Sequence, residues 1–101
     1  MIIVMIWLGS MFPDKYLDVV KNCTNYETNR CVILQEVHWD YLSHKYKDML
    51  NLTQHRTDRL ILVEKVDILR LLYLYDKGGI YTDLDNVVNY TCLDNFTKNV
   101  N

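Results

Sequence analysis

The chain has 101 residues, half of them apolar, with three glycines and one proline. That is the composition of one globular domain, and it excludes a disordered or Pro/Gly-rich linker protein. A formal charge of −2 and a pI near 5.8 exclude the basic field that nucleic-acid binding needs, and any polybasic membrane stripe.

Ile2 to Trp7 is a continuous apolar, β-favouring run that stops at Gly9-Ser10, the pattern of a strand covered on both faces. It has no basic leader and is too short to span a bilayer. No signal peptide or transmembrane segment is therefore expected, which favours the cytoplasm. Four glycosylation sequons begin at Asn22, Asn51, Asn89 and Asn95. In a chain this rich in Asn and Thr they are weak evidence for a secretory route. Pro13 opens a helix with Tyr16, Val19 and Val20 on its apolar face.

Cys31 to Leu34 reads as a second buried strand. Cys23, Cys31 and Cys92 have neither CxxC nor Cys/His zinc spacing, so three free thiols in a reducing compartment are expected. From His38 to about Leu52, Trp39, Leu42, Tyr46, Met49 and Leu50 recur at helical spacing. His38, His44 and His55 show no ligand spacing and are expected to face solvent.

A further helix is predicted from about Asp58 to Lys77, closed by Gly78. It is apolar nearly all round, which predicts burial. After Gly78-Gly79, Ile80 to Thr82 forms a short strand that delivers Asp83 and Asp85. Strands alternating with helices predict an α/β domain, a mostly parallel sheet flanked by helices, with no internal boundary over residues 1–101.

Chemistry concentrates in the last two elements. Asp67 and Arg70 lie about 60° apart on the helix. Two readings follow: a structural salt bridge, or a pair edging a cleft, where Arg suits phosphate or sugar oxygens and Asp accepts from hydroxyls. Gly78 and Gly79 allow a tight reversal and close approach to a ligand. Alternation along a strand points Asp83 and Asp85 the same way and Leu84 into the core. Two such carboxylates can hold Mn²⁺ or Mg²⁺ and leave coordination sites for diphosphate and water. The bland alternatives are a core position for Trp7 and packing roles for Tyr73, Tyr75 and Tyr81.

The segment from Lys65 to Asp85, KVDILRLLYLYDKGGIYTDLD, resembles the DXD sugar-binding region of a retaining GT-A glycosyltransferase superfamily. That group includes the fungal outer-chain mannosyltransferases and the glucosyltransferase domains of large clostridial toxins. Ile3 to Gly9 is similar to that family's opening strand, which ends in Ile-Trp-x-Gly. The resemblance implies a Rossmann-like GT-A domain and transfer of a sugar from a nucleotide-sugar donor, UDP-linked by expectation, to a glycan or protein acceptor. It implies that Trp7 stacks beside the base, that Asp67 and Arg70 hold the donor sugar and its phosphate side, and that Tyr81 lines the pocket with Gly78 and Gly79. Asp83 would contact ribose or sugar and the metal sphere, and Asp85 would ligate the metal. Asp83, Asp85 and Arg70 are thus the expected catalytic set.

Only 16 residues follow Asp85, where the family continues much further. The chain therefore reads as the donor-binding part of the domain, with a second polypeptide as one source of the rest. Two alternatives remain: a nucleotide-sugar- and metal-binding remnant without turnover, and a phosphatase of haloacid-dehalogenase type. The latter's first motif is similar to Asp83-Leu84-Asp85-Asn86-Val87, but it would leave Asp67, Arg70 and the double glycine unexplained.

Overall fold

The computed structural model describes residues 1–9, 11–49 and 60–99. Strand β1 (Ile2–Ile6) is followed by a 3₁₀ turn (Asp14–Tyr16), helix α1 (Leu17–Thr24), strand β2 (Arg30–Leu34) and helix α2 (Glu36–Lys45). Helix α3 (Leu62–Lys77), strand β3 (Ile80–Tyr81) and helix α4 (Tyr90–Asn99) complete the described elements. The strands form one parallel sheet in the order β2-β1-β3.

β1 is central because its residues are apolar on both faces. Val4 and Ile6 pack with Leu34, Trp39, Leu42, Leu69 and Leu72 beneath α2 and α3. Ile3 and Met5 turn the other way, onto Cys23, Leu84 and Tyr90. A period of two thus splits one apolar run between two cores. Parallel pairing continues past the strand ends, where Trp7 N donates to Leu34 O at 3.0 Å and Thr82 N to Val4 O at 3.0 Å.

β2 lies on one side of β1 and β3 on the other. The first crossover, α1, belongs to one face and the second, α2 with α3, to the other. The segments that leave β1 and β3 both pack on the face of Ile3 and Met5, and a crevice lies between the carboxyl ends of these two strands.

Several expectations are corrected. α2 begins at Glu36 and ends at Lys45, with Tyr46 in a non-helical conformation, while Leu50 to Leu52 lie outside the described residues. α3 begins at Leu62 after an extended Ile61; Asp58 and Arg59 lie outside the described residues. Nor is α3 buried all round. Leu69 and Leu72 are buried, whereas Val63, Leu71 and Tyr75 are exposed, because α2 and the sheet cover only one side of it.

His38 does not simply face solvent. Its Nδ1 accepts from the Gln35 backbone N–H at 2.9 Å, and the Gln35 side chain accepts from the His38 N–H, so the two cap α2 reciprocally. His44 is exposed as expected, and His55 lies outside the described residues.

The cysteines differ most. Cys23 and Cys31 form a disulfide with Cα atoms 6.4 Å apart, and only Cys92 is free, at the surface. Spacing could not reveal this, because the end of α1 comes beside the second residue of β2 only when the crossover folds back. Disulfides persist in oxidising surroundings, so the cysteines no longer argue for a reducing compartment. Among the described residues no helix is long and apolar enough to cross a membrane.

At the far ends of α2 and α3, the buried Asp76 carboxylate accepts from Lys45 Nζ at 2.7 Å and from the Tyr46 hydroxyl. These two hydrogen bonds hold its pKa below the ordinary carboxylate value, and the Asp76 carboxylate raises that of Lys45. Tyr46 also meets Tyr75 edge-on at 5.6 Å.

Three outcomes are expected. A thiol assay on the unreduced native protein should count one reactive cysteine, rising to three after reduction and unfolding. Cys31→Ser should lower stability by about 2.5 kcal/mol, the loop-closure value for a bridge of this span, measured by urea unfolding. Gly79→Ala should destabilise by roughly 1–3 kcal/mol, since Gly79 has φ 118° and an added Cβ would lie 3.1 Å from Ile2 O and 3.2 Å from Val4 Cγ2.

Candidate functional site

The crevice is built from the ends of β1 and β3. Trp7 follows β1 directly and is half-buried. Its ring meets Phe12 edge-on at 6.2 Å and Tyr16 at 6.1 Å. Its indole N–H is buried with no hydrogen-bond partner among the described residues. An unpaired buried donor is costly. Trp7, Tyr16, Val66, Tyr81, Asp83 and Asp85 line a cleft of about 300 Å³.

β3 ends at Tyr81, so Asp83 and Asp85 lie on a turn and not on the expected strand. Asn86 N donates to Asp83 O at 3.2 Å and closes that turn. Leu84 is only 8% exposed and packs beside Ile3, Met5, Cys23 and Tyr90. The apolar side chain pins the turn, and the exposed carboxylates flank it at the cleft mouth. The expected alternation of in and out is thus kept by a turn.

Arg70 and Asp67 project from α3 toward the same region. The Arg70 guanidinium lies 5.0 Å from the Tyr81 ring centre, and its Nη2 is 3.4 Å from Asp67 Oδ1. The expectation that this pair is buried is corrected: the Asp67 side chain is 59% exposed and that of Arg70 36%. Water therefore solvates both charges, and an exposed pair of this kind contributes little to stability.

The Tyr81 hydroxyl donates to Asp83 Oδ1 at 2.9 Å. Burial, followed by this bond to the Asp83 carboxylate, pushes the Tyr81 pKa up to about 12, against a smaller lowering by Arg70. Tyr81 is therefore a permanent proton donor at physiological pH. It fixes one oxygen of Asp83 and leaves the other free.

Trp7, Tyr81, Asp83 and Asp85 thus share one cleft, with Arg70 stacked over Tyr81 and Asp67 beside Arg70. Gly78 and Gly79 are not brought there. Gly78 ends α3 with its N–H donating to Leu74 O at 2.9 Å, and Gly79 packs on Ile2 and Val4. Three extended residues, Ile80 to Thr82, separate Gly79 from Asp83, so the two Cα atoms are four steps or about 13 Å of chain apart. Residue spacing did not single out Tyr16, Leu62 or Val66 as cleft residues. Their apolar periodicity marks helix packing, and only tertiary structure turns those positions to the crevice.

Among the described residues no three His, Cys, Asp or Glu side chains cluster to hold a metal by themselves. Asp83 and Asp85 can offer two carboxylates, a donor set suited to a hard divalent cation that keeps the rest of its coordination for water and phosphate oxygens.

A parallel sheet with helices on both faces and a cleft at the carboxyl ends of its strands defines a Rossmann-like domain. Residues 13–100 match the family model of the glycosyltransferase sugar-binding region containing DXD motif, and the chain belongs to that family. The opening strand with Trp7 precedes the matched stretch. No curated protein and no solved structure matches the chain.

Spectroscopic titration of tyrosinate absorbance should show one residue with a midpoint near 12 that disappears in Tyr81→Phe. Because the folded pKa is raised above the ordinary 10.0, neutral Tyr81 contributes stability fully below pH 10, and that contribution fades as pH rises through about 12. Asp83→Asn should lower the midpoint without abolishing the shift, since burial is its largest cause.

Proposed function

We propose that the chain binds a nucleotide-sugar donor, UDP-linked, together with Mn²⁺ or Mg²⁺ at Asp83 and Asp85, and serves metal-dependent, retaining sugar transfer. The observation that carries this reading is the exposed pair of carboxylates on a turn pinned by Leu84, facing Trp7 and Tyr81 across one cleft. Membership of the DXD family supports it.

In this reading the half-buried Trp7 offers the base an aromatic face. Asp85 has its whole carboxylate available, and Asp83 has the oxygen that Tyr81 leaves free. Arg70 can reach donor oxygens with the part of its fork not turned to Asp67, and Asp67 can accept from sugar hydroxyls. The bound cation supplies Lewis-acid neutralisation of the departing diphosphate.

Calorimetry with UDP and Mn²⁺ is the test. Binding is expected, with Asp85→Ala weakening it at least about tenfold, as loss of a charged ligand group implies. Absence of binding by both UDP and GDP with Mn²⁺ present sinks the proposal. Binding without hydrolysis or transfer of UDP-sugars would retain the donor site and remove the transferase activity.

A further inference from the structure

A larger concavity of about 720 Å³ lies between α1 and residues 86–91, the segment leaving the Asp83–Asp85 turn. Asn22 and Asn25 come from one wall, Asn86 and Asn89 from the other, and Tyr26 and Tyr90 complete the lining. Among the described residues its one charged lining residue is Asp18, and neither Lys, Arg nor His lines it.

The amides are only partly used. Asn22 Nδ2 donates to Val88 O at 3.4 Å, which leaves its carbonyl oxygen free. Asn89 Oδ1 accepts from Cys92 N at 3.1 Å, which leaves its NH₂ free. The side chains of Asn25 and Asn86 are exposed and make no hydrogen bond among the described residues. Tyr26 and Tyr90 stand with ring centres 6.2 Å apart, and the Tyr26 hydroxyl is committed to Asp94 at 2.9 Å. Tyr26 therefore offers a ring and not a free hydroxyl.

This chemistry selects a ligand class. Phosphate or another anion would find no cation and would meet Asp18. An apolar ligand would strand four amides without water. A neutral ligand that carries both donors and acceptors on every face, and a C–H face for an aromatic ring, satisfies all of them. We infer that this groove binds a neutral saccharide. Because Asn86 closes the carboxylate turn through its bond to Asp83, the groove starts where that turn ends, as an acceptor site must. The role of acceptor rests on the transferase reading above; the saccharide site itself does not.

The test is saturation-transfer NMR and calorimetry with maltotriose, mannotriose, lactose and N-acetylchitotriose, each with and without UDP and Mn²⁺. At least one should bind, and the double variant Asn25→Ala/Asn86→Ala should weaken it about fivefold or more, the scale of two lost hydrogen bonds, with UDP–Mn²⁺ affinity unchanged. Both side chains are exposed, and matching thermal melts verify the fold. Asp85→Ala should weaken UDP–Mn²⁺ binding and leave saccharide affinity as it was. Failure of all four saccharides to bind at millimolar concentration overturns the inference, as does binding that the double variant leaves intact. Saccharide binding without UDP binding upholds the groove and removes the donor reading.

Discussion

The pairing of β3 with β1 is the constraint on which the site depends. It is short, with Ile80 opposite Ile3 and Tyr81 opposite Val4, extended by the bond from Thr82 N to Val4 O. It requires the chain leaving α3 to run tight against β1, and Gly79 permits this because no side chain stands between it and the Ile2 carbonyl. Once the strands are in register, the residues after each fall on the same edge of the sheet. Trp7 and the Asp83–Asp85 turn become neighbours through backbone hydrogen bonding, with no direct attraction needed between them.

The second determinant is Leu84. A turn bearing two exposed carboxylates gains nothing by holding a fixed orientation in water, and like charges favour splaying it. Burying one leucine contributes roughly 1.5–3 kcal/mol, enough to hold the turn against that tendency. Tyr81 then orients Asp83 by hydrogen bonding, while Arg70 lies over the Tyr81 ring. The polar parts of the site are solvated and individually weak; the apolar anchor beneath them fixes their geometry.

The lateral elements are tied to the sheet by different means. α1 is joined to β2 by the Cys23–Cys31 disulfide, and α2 to α3 by the Asp76 carboxylate with Lys45 and Tyr46. Neither tie touches the cleft. Each stabilises one of the two crossovers, which lie on opposite faces of the sheet. A substitution there should act on the site through stability.

The sequence by itself determined much of this. The apolar run of Ile2 to Ile6 required a doubly covered strand, Gly78 required the end of α3, and Asp-Leu-Asp after a double glycine required a buried leucine between exposed carboxylates. These are local consequences of side-chain period and backbone freedom. The tertiary structure decided what no local pattern encodes. It paired Cys23 with Cys31, gave His38 a capping role, and left Asp67 and Arg70 in water although their helix reads as apolar all round. It also separated the two glycines from the cleft and brought Tyr16 and Val66 to it. The physical reason is common to all five: burial and partnership depend on which elements cover a residue, and that is fixed only when the crossovers close on the sheet.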